Sequence, residues 1–172
     1  MMPGPVPWRY VQDWRCVACG LCCKDYDVVL DFPEWIKIVN IFGVGFTRPG
    51  VSCFFLERKN DGNCVFLYSL YGRRFCALQQ HMKPMACKLW PFKIANKPKY
   101  GRQNEASYRC GDKLLYVYAD PFCPGLTWGN PNFGFLSETL SEFVDLAIGA
   151  RQKQCYSTSR LLRPSINPWK LI

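Results

Sequence analysis

Four cysteines lie within eight residues near the start of the chain, at Cys16, Cys19, Cys22 and Cys23. Buried free cysteines usually occur singly, as small apolar residues. Four of them in so short a stretch indicate either a metal site or a group of disulfides. Because adjacent cysteines such as Cys22 and Cys23 rarely pair with each other, the metal interpretation is favoured.

The spacing of these thiols, C-x2-C-x2-C, repeats the start of the bacterial ferredoxin run C-x2-C-x2-C-x3-C-P, whose thiolates hold iron–sulfur clusters. Gly20 suits such a loop, because glycine lets the backbone turn tightly with its N–H groups facing the sulfurs. Structural zinc sites more commonly show separated C-x2-C pairs. The stretch therefore predicts a [4Fe-4S] site ahead of a zinc site, with zinc as the alternative.

The cysteine content and the N-terminus together indicate a compartment. The chain has eleven cysteines, and its first residues lack the basic start and the apolar run of a secretory signal. In a reducing compartment clustered cysteines are interpreted as metal ligands before disulfides, and the odd count argues against a fully paired scaffold. We expect a cytoplasmic protein, with a disulfide-rich intracellular protein as the alternative, and no transmembrane segment.

The formal net charge of +9 favours acidic partners such as nucleic acid, an anionic membrane face or an acidic protein. A basic surface that only keeps the protein soluble fits the charge equally well. Residues 1–15 and 156–172 combine prolines, aromatic residues and cations, and they are predicted to be extended arms. We expect these arms to contact a larger protein or ribonucleoprotein assembly, with RNA among the candidate ligands.

The rest of the chain, residues 16–155, predicts one small α+β domain: short strands and two main helices packed around one or two cysteine-ligated metal sites. Asp31, Pro33 and Glu34 form a helix-start signature, and Gly43 ends that helix. A second helix is predicted over about 137–153, where apolar residues recur on one face.

Strands are predicted from apolar and aromatic runs bounded by turn residues. Residues 53–57 and 64–68 indicate the two strands of one hairpin around an Asp-Gly turn. Further strands are expected at 92–95 and 114–119, and the polar, basic stretch 96–113 is expected to be a surface loop.

Several segments after the cysteine stretch occur in a recognisable order. They are Asp31-Phe32-Pro33-Glu34, Gly62-Asn63-Cys64-Val65-Phe66-Leu67, Cys76 followed by Lys83-Pro84-Met85-Ala86-Cys87-Lys88-Leu89-Trp90-Pro91-Phe92, and Cys123-Pro124-Gly125. With them, the chain resembles over roughly residues 15–126 the CxxCxxCC family, described as zinc- or iron-chelating and often labelled Fe–S proteins. Lys83 and Lys88 stand where that family has arginines, and a lysine holds an anion or a carboxylate less well than an arginine fork.

The resemblance implies a metal or cluster held by the matched thiols, which are Cys16, Cys19, Cys22, Cys23, Cys64, Cys76, Cys87 and Cys123. Eight thiols suffice for two four-cysteine sites, either two [4Fe-4S] clusters or two zinc ions. In one arrangement the first three thiols bind one site and the fourth reaches the other. Cys110 is a candidate ninth or substitute ligand, whereas Cys53 and Cys155 are interpreted as ordinary thiols.

Other chemistries find little support in the residues. His81 is the only histidine, which excludes a histidine-rich catalytic zinc site. No carboxylate pair, serine–histidine arrangement or phosphate-binding glycine loop is recognised, so no catalytic residue is predicted. Two functions are left: a metal-cluster protein with a structural, electron-transfer or accessory role in a larger assembly, or a zinc-stabilised basic protein that binds RNA or a ribonucleoprotein.

Overall fold

The computed structural model describes residues 4–79 and 82–158, which fold into short antiparallel strands and helices, so the predicted α+β class is confirmed. The strands in this part are β1 (Val6–Pro7), β2 (Val11–Trp14), β3 (Val29–Leu30), β4 (Thr47–Pro49), β5 (Phe54–Leu56), β6 (Leu67–Leu70), β7 (Arg73–Cys76), β8 (Phe92–Ala95), β9 (Ser107–Cys110), β10 (Lys113–Ala119) and β11 (Leu126–Trp128). The α-helices are α1 (Leu21–Lys24), α2 (Phe32–Phe42), α3 (Met85–Leu89), α4 (Gln103–Ala106) and α5 (Ser141–Ala147). Among the described residues, no helix has both the length and the apolar character needed to cross a bilayer.

The chain divides into two compact units, each with an apolar core of its own. In the described part, the first unit comprises residues 4–17 and 89–158, and the second comprises residues 18–79 and 82–88. The sequence interpretation of one domain over 16–155 does not anticipate this division. One boundary falls inside the cysteine stretch and the other inside α3, so neither has the linker composition by which domains are usually recognised.

The first unit is built on an antiparallel sheet in which β10 pairs with β1, β8 and β9. The strands predicted at 92–95 and 114–119 are confirmed as β8 and β10. The surface loop expected over 96–113 is wrong in part, because α4 and β9 lie within it. The side chains of β9 are half-buried or exposed. The strand therefore tolerates a polar sequence, and that polarity is why the sequence does not predict it.

Residues 1–15, the predicted N-terminal arm, contribute to the first unit from β1 onward. Trp8, Val11 and Trp14 are buried in its core, and the Trp14 ring packs edge-on against Phe92 and Phe143 at centroid distances of 6.2 and 5.3 Å. Strands of two to four residues are too short to show a period of two. For this reason the sequence alone indicates an extended arm with aromatic residues, although these residues are buried in the core.

The main helical region of the first unit begins with a π-helical segment, Phe135–Leu140, and continues into α5. Leu140, Phe143 and Val144 of the predicted apolar face are buried, and Leu136 and Ala147 are half-buried. The helix ends at Ala147, before the predicted residue 153, and Gly149 follows with a left-handed φ of +78°.

The chain beyond α5 folds back onto one buried carboxylate, that of Glu142, which is 1% exposed. Glu142 Oε2 accepts hydrogen bonds from Arg151 Nη1 at 3.1 Å, from the Cys155 N–H at 2.5 Å and from the Tyr156 N–H at 2.9 Å. Its Oε1 accepts from the N–H and the hydroxyl of Ser157, at 3.0 and 2.7 Å. Of the predicted C-terminal arm, residues 156–158 take part in this region, and residues 159–172 lie outside the described residues.

In the second unit, α2 is the helix that the sequence predicts at Asp31–Gly43. Asp31 Oδ1 accepts from the Glu34 N–H at 2.7 Å, and Glu34 Oε2 accepts from the Asp31 N–H at 3.2 Å. This reciprocal capping box satisfies two donors at the helix start, and Gly43 forms the C-cap.

The strands of the second unit pair differently from the predicted hairpin of 53–57 with 64–68. Strand β5 lies between β3 and β4 instead, and β6 pairs with β7 across a turn at Tyr71 and Gly72. An isolated bridge between Arg58 and Cys64 marks the place of the predicted hairpin. The Asp-Gly turn therefore forms, but the strand partners are decided by apolar packing between residues that are distant in the sequence.

Candidate metal centre

The thiol-bearing loop of the second unit turns at Gly20, whose φ is +75°. This left-handed residue starts α1, the short helix that holds Cys22 and Cys23. The Arg74 N–H of β7 donates to the Ala18 carbonyl at 3.0 Å, so the loop lies against the β6–β7 hairpin. A Cβ added at Gly20 would approach the Arg74 Cβ to 3.1 Å, which explains why glycine is needed here.

The sulfurs of Cys22 and Cys23 lie 3.9 Å apart, at the distance of an S–H···S hydrogen bond. Cys64 joins this pair through the backbone, because its N–H donates to the Cys23 carbonyl at 2.7 Å. The Cys64 side chain is itself buried in the second core. Two distant stretches of the sequence thus bring three thiols to one region.

Arg58 clamps the two stretches together. Its Nη1 donates to the carbonyls of Lys24 at 2.5 Å and Gly62 at 2.6 Å, and its Nε donates to Asp27 Oδ1 at 3.0 Å. One guanidinium therefore joins the end of α1, next to Cys23, to the turn that precedes Cys64. No sequence signal singles out Arg58, because its partners Lys24 and Asp27 are 34 and 31 residues away along the chain.

Two further thiols come from regular elements of the second unit. Cys76 ends β7, where it pairs with Leu67 of β6. Cys87 lies in α3, and the first N–H of that helix, from Met85, donates to Glu34 Oε1 at 2.6 Å. Cys76 and Cys87 both pack against the second core, as Cys23 does.

The pKa values of these five thiols depend on one another. The hydrogen bond from Cys23 lowers the pKa of Cys22 to about 7, and the same bond together with burial raises the pKa of Cys23. Burial raises the pKa of Cys64 to about 11. Burial also raises the pKa of Cys76 and of Cys87, and the charges of neighbouring thiols raise both further. Cys22 is therefore the group's most acidic thiol.

Lys83 provides a positive charge to the same group. Its charge acts to lower the pKa of Cys22, Cys76 and Cys87, against the burial that raises the last two. The sequence singles out Lys83 only as a departure from a family pattern. Its electrostatic role comes from the fold, which places one ammonium group beside three thiols of different segments.

The remaining predicted ligands are distributed over both units. Cys19 is half-buried in the thiol-bearing loop of the second unit. In the first unit, Cys123 is buried and its sulfur accepts from Trp14 Nε1 at 3.3 Å, while Cys16 and Cys110 pack half-buried against the core. Those three thiols belong to the first unit.

The group of five thiols is not a finished ligand set. Within residues 4–79 and 82–158, no three side chains of histidine, cysteine, aspartate or glutamate are arranged to hold a metal ion. All eleven cysteines lie in this part of the chain and are thiols, not disulfides. Rotation of a cysteine between staggered positions moves its sulfur while the backbone stays in place. His81 lies outside the described residues.

Comparisons of the chain with protein-family models, with curated proteins and with solved structures give no match. The resemblance to the CxxCxxCC family therefore stays a prediction that rests on the residues quoted for it. Any function must be argued from the site itself.

Proposed function

We propose that this chain is a metal-binding protein whose second unit holds a metal centre through cysteine thiolates, with a [4Fe-4S] cluster as the first candidate. The observation that supports it is the grouping of Cys22, Cys23, Cys64, Cys76 and Cys87, from four segments, around one core. Packing alone does not require five thiols in one region, because a buried cysteine is simply a small apolar residue. Sulfur is the donor that iron–sulfur clusters and zinc prefer.

The protein residues have two tasks at such a centre. The thiols must lose their protons, and because burial raises the pKa of Cys64, Cys76 and Cys87, metal uptake is expected to release protons and to strengthen as the pH rises. Lys83 offsets part of the negative charge that the thiolates bring. When bound, a [4Fe-4S] cluster would supply one-electron transfer or a cross-link between the four segments.

Zinc is the second candidate, and one distance favours it. Sulfurs that lie 2.3 Å from a tetrahedral zinc ion are about 3.8 Å from one another. The sulfurs of Cys22 and Cys23 lie 3.9 Å apart. Thiolates of a cube each bind a different iron, which requires wider spacing. In the zinc alternative the metal only stabilises the fold.

We further propose a cytoplasmic location and a structural, electron-transfer or accessory role in a larger protein or ribonucleoprotein assembly. The eleven thiols are suited to a reducing compartment. The net charge of +9 and the basic C-terminal residues 156–172, which contain no acidic side chain, suit an acidic partner.

The test is the metal content and the visible spectrum of full-length protein purified without oxygen. A broad brown absorption that dithionite bleaches, with about four irons per chain, is expected for one cluster. A colourless protein with about one zinc ion would select the second candidate. Absence of both metals, even after reconstitution with iron and sulfide or with zinc, would refute the proposal.

Variants assign the ligands. Cys64→Ser and Cys87→Ser are expected to lose most of the metal, and Cys155→Ser, which changes an exposed thiol of the first unit, is the matched control. Circular dichroism and elution volume show whether each variant is folded. X-ray absorption at the zinc edge of the zinc-loaded wild-type protein is independent of folding effects: sulfur neighbours at about 2.3 Å support thiolate ligands, and a shell of only oxygen or nitrogen contradicts them.

A further inference from the structure

One face of the sheet in the first unit packs against the core, and the other face does not. In β10, Leu115, Val117 and Ala119 belong to the core cluster, so the alternate residues face the other side. On that side Tyr118 lies opposite Lys93 of β8. Paired residues of antiparallel strands share a face, so Lys93 and Tyr118 lie next to each other there.

A loop crosses this second face at Tyr100 and Gly101. The Tyr118 hydroxyl donates to the Gly101 carbonyl at 2.9 Å, and the rings of Tyr100 and Tyr118 meet edge-on at 5.1 Å. Tyr118 is fully buried, whereas Tyr100 is 44% exposed. The buried Tyr118 thus holds the exposed Tyr100 in place. A loop that only has to be solvated would not need such an anchor.

Each exposed tyrosine in this region has a cation at its ring. Lys93 Nζ lies 5.7 Å from the ring centre of Tyr100, and Arg102 Cζ lies 5.5 Å from that of Tyr10, which is 39% exposed. Only Gly101 separates Tyr100 from Arg102 in the chain. The two pairs therefore form one continuous feature.

Further cations extend it. Lys97 and Lys99 are exposed in the loop that leads to Tyr100. We call Lys93, Lys97, Lys99, Tyr100, Arg102 and Tyr10 the basic aromatic strip. Among the nearby acids, Asp120 is buried and its ion pair with Lys93 at 3.4 Å offsets the charge of that lysine, and Glu105 is half-buried, so Lys97, Lys99 and Arg102 are the cations we assign to phosphates.

We propose that the basic aromatic strip binds single-stranded nucleic acid. Proteins that bind single strands combine cations that contact phosphates with exposed aromatic rings on which bases stack. The strip offers both: Lys97, Lys99, Tyr100 and Arg102 lie on one loop that Tyr118 holds to the sheet, and Lys93 and Tyr10 lie beside it. This proposal belongs to the first unit and does not rest on the metal centre of the second.

The test uses the full-length, metal-loaded protein and fluorescence anisotropy with labelled twelve-nucleotide oligouridine and oligothymidine. Binding at 50 mM salt that weakens steeply by 200 mM is expected, because phosphate contacts release counterions. Tyr100→Ala is expected to weaken binding about 5-fold or more, since stacking contributes about 1–3 kcal/mol per base. Tyr100→Phe, which keeps the ring, is expected to retain binding. Arg102→Gln is expected to lower the slope of log affinity against log salt concentration by about 1, the value for one phosphate contact.

Controls separate this site from general charge attraction. Phe133→Ala removes another exposed ring of the first unit and should leave the affinity unchanged. Oligodeoxyuridine, which differs from oligouridine only in the 2′-hydroxyl, is the matched comparison: stronger binding of oligouridine would identify RNA as the ligand, and stronger binding of oligodeoxyuridine would identify DNA. The proposal is overturned if no binding occurs at 50 mM salt, if duplex or polyglutamate competes as well as the single strand, or if Tyr100→Ala binds like the wild type. Cys87→Ser reports on the metal centre separately, through its metal content.

Discussion

Replacing Glu142 should test how the chain beyond α5 is held. The carboxylate is 1% exposed and accepts five hydrogen bonds, three of them from consecutive backbone N–H groups at Cys155, Tyr156 and Ser157. Each hydrogen bond to a charged group contributes about 1.5–3 kcal/mol, so five would nominally exceed 7 kcal/mol. The full sum is not expected, because in the variant residues 155–157 can detach and form hydrogen bonds with water instead. We therefore expect Glu142→Ala to lower the free energy of unfolding by about 3–5 kcal/mol, the range for a broken buried ion pair.

Glu142→Gln makes the prediction sharper because it keeps the shape. An amide retains one acceptor oxygen and turns its NH₂ group toward the other set of donors. In the better orientation the NH₂ faces the two donors of Ser157. The hydrogen bond from the Ser157 N–H is then lost, the Ser157 hydroxyl must turn to accept from the amide, and the other three hydrogen bonds lose their charged acceptor. We expect this variant to lose about 2–4 kcal/mol, with little rescue relative to alanine.

Urea unfolding measures the free energies, and amide hydrogen exchange at residues 155–157 reports the local detachment. Asp112→Asn, which changes an exposed acid in the same unit, is the control and should stay within about 0.5 kcal/mol of the wild type. If Glu142→Gln were as stable as the wild type, with unchanged exchange at 155–157, the role given to this carboxylate would be refuted.

The same site predicts a pH dependence. Burial alone would raise the pKa of Glu142, but the hydrogen bonds from Ser157, Cys155 and Tyr156 outweigh it, and the pKa lies below the ordinary value of 4.5. A lowered pKa in the folded state stabilises the protein above the unfolded value. This contribution should be lost as the pH falls below about 4.5 through the lower folded pKa, and Glu142→Gln should flatten that part of the stability profile.

Four variants in the second unit give further predictions. Gly20→Ala and Gly72→Ala both place alanine at a left-handed φ, which costs about 1–2 kcal/mol, but only the first also crowds a neighbouring side chain. Urea unfolding should show a larger loss for Gly20→Ala, and metal analysis should show a lower metal content; equal effects would contradict the contact. Arg58→Lys should lower stability by about 1–3 kcal/mol and also reduce the metal content, because one ammonium group cannot hold two carbonyls and a carboxylate together. Asp31→Ala should lower stability by about 1 kcal/mol in the same urea assay, through loss of the helix cap, and a metal content below that of the wild type would be unexpected.

The parts of the fold that the sequence predicts well are those with local causes. The capping box at Asp31 and Glu34 fixes the start of α2, and a run of apolar and aromatic residues marks β10. Strand partners are a different matter. The turn at Gly62 forms, but β5 pairs with β3 and β4, because the partner of a strand depends on packing against residues distant in the sequence.

The candidate site shows the same limit. The sequence indicates that thiols matter, and the structure groups Cys22 and Cys23 with Cys64, Cys76 and Cys87. Spacing alone cannot separate these from Cys16, Cys110 and Cys123, which lie in the first unit. Arg58 escapes sequence analysis altogether, since its importance comes from the Lys24 carbonyl and the Asp27 carboxylate, which only the folded chain brings near.

The division of the first unit into two stretches has a consequence for the order of events on the ribosome. Residues 18–88 are one continuous stretch, whereas β1 must wait for its partners Tyr118 and Ala119 of β10. At about 5–20 residues per second, translation from residue 88 to residue 119 takes roughly 2–6 s. Residues leave the ribosome in the order in which they are made, so the thiols of residues 18–88 emerge earlier than β10 by the same interval and are then available to a metal donor, while Trp8 and Val11 still lack their core and are exposed to chaperones. Loading of the proposed metal centre can thus begin on the nascent chain, before the N-terminal strand finds its place.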